Sequence, residues 1–245
     1  MHDSQSQTRT QRVLAVVQRS ESVTPHMRRI TLGGAALADF LCLEGLRAPA
    51  AWVKVFLPSG EGRAYTVRSL DVAAGTLTLD FVQHGAGQHG GPAAAWAAAA
   101  VVGEYISLAG PRSGGFALPG DCQWLLLAGD ATALPALQSI ASQLPVTIKA
   151  KAYIEVASQA DYQPLPSTAN LRVQWLDAQA EPGLSLCQAL LHRPLPVGAG
   201  YIWMAGESSA IKRLKLHYRQ ERHMDSERIS AKGYWKAGEC DHREA

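Results

Sequence analysis

The sequence changes character near residue 120, and this change limits the folds that the chain can adopt. Before it, short segments rich in β-forming residues alternate with glycine and proline turns, which predicts a six-stranded antiparallel barrel. After it, apolar strand segments alternate with helical segments, which predicts a doubly wound, mostly parallel sheet. We therefore expect two domains, residues 12–118 and 121–245, in this chain of 245 residues.

The predicted elements follow from local composition. One helix interrupts the barrel, because Pro92 is tolerated in a first helical turn and the alanine-rich residues 93–102 favour a helix. The predicted barrel strands are residues 12–18, 27–33, 51–57, 64–69, 76–83 and 105–109. In the second domain the predicted strands are residues 124–128, 146–156, 171–176, 201–205 and 229–235, and the predicted helices are 134–144 and 209–222.

Composition argues against several classes of protein. A net charge of +2 without a concentrated basic stretch argues against nucleic-acid binding. The polar residues 1–12 lack the apolar core of a secretory signal, and the longest apolar run, residues 93–102, is far shorter than the roughly 20 residues of a membrane span. Four cysteines without paired spacing indicate free thiols rather than a metal site. We expect a cytoplasmic monomer that binds neither nucleic acid nor membrane.

Residues 63–68 read Arg-Ala-Tyr-Thr-Val-Arg, a strand-like hexapeptide with unusual chemistry. Alternate side chains of a strand share a face, so Arg63 and Tyr65 should project together while Thr66 and Arg68 project to the other side. Arginine matches phosphate oxygens, a tyrosine ring offers a stacking surface, and a threonine hydroxyl both donates and accepts hydrogen bonds. This combination favours a flavin cradle. The alternative is an ordinary half-buried strand with two solvated arginines.

Two strand-to-helix turns, residues 130–132 and 207–209, should lie at the same sheet edge. Ligands of doubly wound sheets bind at the carboxyl ends of the strands. The helix starts at these turns are suited to phosphate, although their hydroxyl groups are equally suited to capping the helices. Both alternatives stay open at this point.

The segment Gly206-Glu-Ser208-Ser-Ala210 resembles the nucleophile elbow of α/β hydrolases. Only 37 residues follow Ser208, most of them in one predicted helix and one predicted strand. These elements are too few to bring an acid and a histidine back to the serine. A hydrolase is therefore disfavoured.

His84-Gly85 ends a predicted strand, and Gly90-Gly91-Pro92 then starts a helix. Glycines allow close backbone approach, and the free amides of a helix start can hold a pyrophosphate. His84 is a candidate flavin contact or simply a polar loop residue. Isolated cations such as Lys54, Arg112 and Lys236 are expected to be solvated unless the fold gathers them around one pocket.

Seven motifs occur in the order seen in siderophore-interacting proteins, and from about residue 12 to residue 238 the chain resembles that family. The motifs are residues 63–68, 84–85, 91–97, 110–112, 128–135, 203–207 and 233–235. Members of the family are FAD-dependent ferric-siderophore reductases with the architecture of ferredoxin–NADP reductases. The resemblance implies a flavin-binding barrel, a nicotinamide-binding-type domain, and one-electron reduction of Fe(III) to Fe(II).

The resemblance also implies site residues. Basic residues beside the flavin would attract an anionic ferric siderophore, and these are Lys54, Arg112 and Lys236. The implied cofactor-binding residues are Arg63, Tyr65, Thr66, Arg68, Asp80, Val82, His84, Gly91, Pro92, Ala93, Trp96, Asp130, Thr132, Ala133, Tyr234 and Trp235. The flavin would carry the electrons, so no protein side chain is assigned as catalytic.

Two departures from the family pattern leave questions open. The loop from Gly110 to Phe116 has one residue more than usual, so the position of Arg112 is undetermined. Gly129-Asp130 replaces the double glycine of ferredoxin–NADP reductases, which leaves NADPH, NADH or a ferredoxin as the electron donor. The alternative functions are a general NAD(P)H:flavin reductase and a non-enzymatic siderophore-binding flavoprotein.

Overall fold

Six antiparallel strands close into a barrel in the first half of the chain, as predicted. The structure is a computed structural model that describes residues 12–83 and 91–239. The strands follow one another around the barrel in the order β1-β2-β5-β4-β3-β6. They are β1 (Val13–Thr24), β2 (Met27–Gly33), β3 (Trp52–Phe56), β4 (Gly62–Asp71), β5 (Thr76–Val82) and β6 (Tyr105–Arg112).

Five strands form the second sheet in the order β11-β10-β7-β8-β9, and every neighbouring pair is parallel. They are β7 (Trp124–Asp130), β8 (Lys149–Val156), β9 (Asn170–Asp177), β10 (Gly200–Glu207) and β11 (Ile229–Trp235). The α-helices are α1 (Ala38–Leu41), α2 (Pro92–Ala99), α3 (Leu134–Ser142), α4 (Leu184–Leu191) and α5 (Ser208–Leu216). Within the described ranges, no helix combines the length and apolar character needed to cross a bilayer.

Several elements differ from the sequence expectation. β1 continues to Thr24 because it pairs with β2 as far as the Thr24–Met27 position. β8 begins at Lys149, since the exposed Val146 lies in the preceding turn. Helix α4 is absent from the prediction, because eight residues are too few to display a clear helical period.

Helices cover both faces of the second sheet, which explains why every residue of β7 is buried. On one face, Leu125 and Leu127 pack with Leu137 of α3. On the other, Leu126 packs with Leu214 of α5 and with α4. The all-apolar run of β7 is therefore the expected signature of a doubly wound sheet.

The barrel docks on the α3 side of this sheet. The Ala50 amide donates to the Ser139 hydroxyl of α3 at 3.3 Å, and the Trp203 indole donates to the Gly114 carbonyl at 3.1 Å. Met27 and Ala50 belong to the same buried cluster as the α3 side chains. The contact brings β4 and β5 of the barrel close to the carboxyl edge of the second sheet.

Gly114 lies at this junction without room for a side chain. A Cβ atom there would stand 2.1 Å from the Ala50 carbonyl oxygen. We expect Gly114→Ala to destabilise the protein by about 1–3 kcal/mol, which corresponds to a melting temperature lower by roughly 2–12 °C. Thermal unfolding followed by circular dichroism measures this. Gly120→Ala is the matched control, since nothing lies within 4 Å of its added Cβ; equal melting temperatures for the two variants would contradict the packing argument.

Candidate functional site

Strand β4 carries the predicted cradle between β3 and β5. Tyr65 packs against the barrel core, while Thr66 is buried on the opposite face, directly across from Trp52 of β3. A register shift between Val67 and Ser69 leaves Arg68 outside the regular ladder with β5. The strand therefore presents Tyr65 and Thr66 to different sides, as alternation requires.

Tyr65 is the first of three aromatic rings that pack in a row. Its ring centroid lies 4.0 Å from that of Phe81, and the Phe81 ring meets Trp96 of α2 edge-on at 5.5 Å. The Trp96 indole donates to the Glu104 carboxylate at 2.7 Å. Burial raises the pKa of Tyr65, so its phenol stays neutral. This row of rings connects residues 63–68 of β4 to helix α2.

Asp80, Arg29 and Arg68 form a charged cluster. Asp80 of β5 lies opposite Arg29 of β2 and accepts two hydrogen bonds from it, both 2.7 Å long. The Arg68 Nε atom stands 3.9 Å from the same carboxylate, and it is buried without a hydrogen-bond partner among the described residues. Burial and the charge of Arg29 lower the pKa of Arg68. Both oxygens of Asp80 therefore accept hydrogen bonds from Arg29, and the Arg68 Nε atom can still donate to another acceptor.

The side chain of Tyr234, on β11 of the second domain, lies near Thr66 of β4. Its hydroxyl is buried and lacks a well-oriented partner within the described residues, although the Thr66 side chain lies nearby. Burial raises the pKa of Tyr234 to about 12. Arg68 lies two residues after Thr66 on the same strand, beside Asp80. The two unpaired buried groups and Thr66 fit a ligand with several acceptors and negative charge, and FAD has both features.

Asp130 ends β7 and ties the carboxyl edge of the second sheet together. Its buried carboxylate accepts hydrogen bonds from the Glu207 amide at 2.9 Å, the Trp235 indole at 2.8 Å and the Thr132 amide at 2.9 Å. Burial raises the pKa of Asp130 although these hydrogen bonds oppose the rise. Ala133 follows in the same turn and is buried.

Two helix starts at this edge are capped by carboxylates. Glu207 accepts from the Ala210 amide at 2.9 Å and caps α5. Glu155 accepts from the Gly183 and Leu186 amides, at 2.8 and 3.0 Å, at the start of α4, and burial raises its pKa. The sequence left phosphate and hydroxyl capping open for the turn at residues 207–209. At that turn a protein carboxylate takes the position instead.

A cleft of about 320 Å³ separates the end of β5 from this edge. It brings together four of the residues assigned to the cofactor, namely Val82, Asp130, Thr132 and Trp235. Helix α2 begins at Pro92 after Gly91, with Ala93 buried, and no described side chain caps it. His84 and Gly85 lie outside the described residues.

The three basic residues assigned to the substrate are distributed over both domains. Arg112 lies opposite Trp52, with its guanidinium 5.5 Å from the Trp52 ring centroid, and Lys54 follows on β3. Lys236 follows β11 in the second domain and is paired with Glu239, whose hydrogen bond raises the lysine pKa. Lys232, which the sequence did not single out, lies against the loop at Gly115.

Trp52 and Arg29 are absent from the sequence-based site. Trp52, Lys54 and Phe56 alternate with buried valines on β3, and that alternation was the available signal for a partly exposed face that carries aromatic rings. Arg29 gave no comparable signal, because its partner Asp80 lies 51 residues away in the chain.

Comparison with known proteins places this geometry in a family. Protein-family models match the chain at residues 59–115, as a siderophore-interacting FAD-binding domain, and at residues 122–238, as a siderophore-interacting protein. The ferric vibriobactin reductase ViuB of Vibrio cholerae is 30% identical over 90% of this chain and 88% of its own length. The chain belongs to the siderophore-interacting protein family.

Other similar proteins agree with this assignment. The siderophore-interacting protein SipS of Aeromonas hydrophila has a TM-score of 0.79 and 27% identity, covering 94% of this chain and 93% of its own. An NADPH-dependent ferric-chelate reductase of Escherichia coli K12 is 28% identical over 90% of this chain and 91% of its own length. The mycobactin import ATP-binding/permease protein IrtA of Mycolicibacterium smegmatis is 28% identical over 91% of this chain, which spans only 26% of that protein.

Arg63 provides a direct test of the flavin cradle. Its side chain is mostly buried, and one nitrogen donates to the Gly62 carbonyl at 3.2 Å. If Arg63 contacts the cofactor phosphate, Arg63→Ala loses a charge-assisted contact, and FAD affinity should fall about tenfold to a hundredfold. Fluorescence titration of the apoprotein with FAD measures this. Arg19→Ala is the control, because Arg19 is exposed and pairs with Glu21; unaltered affinity in Arg63→Ala would refute the cradle.

Proposed function

We propose that this protein is an FAD-dependent ferric-siderophore reductase, which releases iron by reducing Fe(III) to Fe(II) in the chelate. The observation that carries the proposal is a row of side chains across three barrel strands. Thr66, Trp52 and Arg112 lie directly opposite one another on β4, β3 and β6. One end of the row is Thr66, which lies beside the unpaired buried groups suited to the flavin. The other end is Arg112, an exposed cation suited to an anionic chelate.

The chain's own groups hold and orient the cofactor. Arg63 and the uncapped start of α2 would hold the phosphates, Thr66 and Tyr234 would hydrogen-bond the flavin, and Tyr65 would offer it a ring surface. Arg68 adds positive charge, while Arg29 keeps the Asp80 carboxylate from competing for it. The chemistry supplied by the bound flavin is acceptance of a hydride and release of single electrons.

The overall reaction balances with one nicotinamide nucleotide per two irons. NAD(P)H and two Fe(III) give NAD(P)⁺, one proton and two Fe(II). Reduction lowers the charge of the metal, so its attraction to the anionic oxygens of the siderophore weakens. Lys54 and Arg112 draw the anionic chelate toward the barrel, and Lys236, which is already paired with Glu239, contributes less.

The remaining assignments are part of the same proposal. The electron donor is NADPH or NADH, with a ferredoxin as the alternative, and the protein acts as a monomer in the cytoplasm. The free thiols of Cys42, Cys122 and Cys187 suit a reducing compartment. A general NAD(P)H:flavin reductase would have to release its flavin readily, and the buried unpaired groups around Thr66 favour retention instead.

The function is tested by anaerobic stopped-flow spectroscopy of the chemically reduced protein. Mixing with an anionic ferric catecholate should reoxidise the protein-bound flavin rapidly and leave it bound. Free reduced flavin in the filtrate and equal rates with every ferric chelate would indicate a general flavin reductase. Binding of the chelate without reoxidation would indicate a non-enzymatic carrier.

The basic face is tested by the double variant Lys54→Ala with Arg112→Ala. We expect kcat/KM for an anionic ferric siderophore to fall, and the loss to shrink as salt screens the attraction. FAD content should stay unchanged. Lys149→Ala is the control, since this exposed lysine lies at the amino end of β8, away from the carboxyl edge of the second sheet. Equal losses with a neutral chelate at every ionic strength would contradict electrostatic attraction.

A further inference from the structure

The cleft between the barrel and the second sheet contains groups that the flavin assignment does not use. The turn between β1 and β2 forms one wall, and the ends of β8 and β9 form the other. Its lining includes Thr24, His26, Glu155, Asp161, Gln163 and Gln179. At about 320 Å³, it has the size of a small-molecule site.

Gln163 is the clearest sign of a ligand in this cleft. The residue is only 7% exposed, and its Nε2 atom has no hydrogen-bond partner among the described residues. A buried amide donor without an acceptor is costly, so proteins rarely retain one without a purpose. The amide therefore needs an acceptor that a bound molecule would supply.

The charges of the cleft limit what that molecule can be. Asp130, Glu155 and Asp161 are carboxylates, and the described residues that line the cleft include no lysine or arginine. His26 is the one lining side chain there that can carry positive charge, and its ring nitrogen is bonded to Asp161 at 2.8 Å. Burial alone would raise the pKa of Asp161, yet the hydrogen bonds from His26 bring it below its ordinary value. Asp161 is therefore an anion at neutral pH.

These features indicate which of the two nicotinamide nucleotides, NADH or NADPH, the cleft would bind. NADPH carries a phosphate on the adenosine ribose, and sites that accept it supply an arginine, whereas NAD sites supply an acidic partner for the free hydroxyl. The additional phosphate of NADPH would be repelled by the Asp161 carboxylate, and the described lining offers it no lysine or arginine. Ribose hydroxyls can donate to carboxylates, and adenine nitrogens can accept from an amide.

We propose that the cleft binds the adenosine half of NADH, with the Gln163 amide as its hydrogen-bond donor and with the acidic lining excluding NADPH. This inference rests on the proposed reductase function and names its electron donor. Gln179 sits at the mouth of the cleft after β9, held by hydrogen bonds to Ser185 and Gln188, both 2.9 Å long. The proposed preference for NADH is opposite to that of the E. coli relative, whose name describes it as NADPH-dependent.

Binding and turnover test the preference in the FAD-loaded protein. Isothermal titration calorimetry should give an affinity for NAD⁺ at least about tenfold above that for NADP⁺, and kcat/KM for NADH should exceed that for NADPH similarly. Equal affinities, a preference for NADP⁺, or binding of neither nucleotide would overturn the proposal. Chemically reduced protein can still be assayed with ferric siderophore, so failure of the donor assignment is distinguished from failure of the reductase function.

Gln163→Leu tests the donor amide. We expect its affinity for NAD⁺ to fall about fivefold to tenfold, while its melting temperature and FAD affinity stay close to those of the parent. If the variant instead loses FAD and keeps its NAD⁺ affinity, the cleft belongs to the flavin and the proposal is wrong. Unchanged affinity for both molecules would also overturn it.

Gln179→Arg tests the charge argument by supplying the missing cation. We expect NADP⁺ affinity to rise about tenfold, with little change for NAD⁺. Gln188→Arg is the matched control, because it disrupts the same hydrogen bond on α4 but does not line the cleft. An equal gain in both variants, or a gain in neither, would contradict the role of the acidic lining.

Discussion

The carboxylate of Asp130 is the interaction on which the arrangement of the site depends. It lies at the end of the central strand of the second sheet and holds both the backbone at Glu207 and the indole of Trp235. Gly206 has no side chain where a Cβ atom would stand 2.6 Å from this carboxylate. Asp130 therefore sets the spacing of three neighbouring strands. The position of Tyr234 beside Thr66 follows from that spacing.

The same residue changes the electrostatics of a familiar type of domain. Doubly wound nucleotide-binding domains often place phosphate at helix starts. Here Glu155 and Glu207 occupy the starts of α4 and α5, and Asp130 fills the turn before α3. The edge is consequently acidic, whereas the barrel face around Trp52 is basic. An anionic chelate and a nucleotide would thus be received on surfaces of opposite charge.

Much of the fold was predictable, because strand alternation and apolar runs report burial directly. The closed barrel, the parallel sheet and the aromatic and hydroxyl side chains of β4 follow from short-range pattern. The pairing of Arg29 with Asp80 does not, since an arginine in a strand has the same local signal whether it is buried or solvated. The helix caps were also missed. Hydroxyl groups near a helix start suggest capping, but the buried carboxylate of Glu155 comes from a strand 28 residues before the amide of Gly183 that it caps. Such long-range contacts leave no periodic trace in the sequence.

The position of β11 has a consequence for synthesis of the protein. Among the described residues this strand is the last along the chain, and it lies at the edge of the sheet, next to β10 alone. It nevertheless supplies Tyr234 to the barrel side and Trp235 to Asp130. Domains fold from the N-terminus as the ribosome releases them. A nascent chain can close its barrel early, but the side of the proposed cofactor pocket that β11 supplies is missing until residue 235 has emerged. With Tyr234 in its proposed role at the flavin, tight cofactor binding would therefore require a completed second domain.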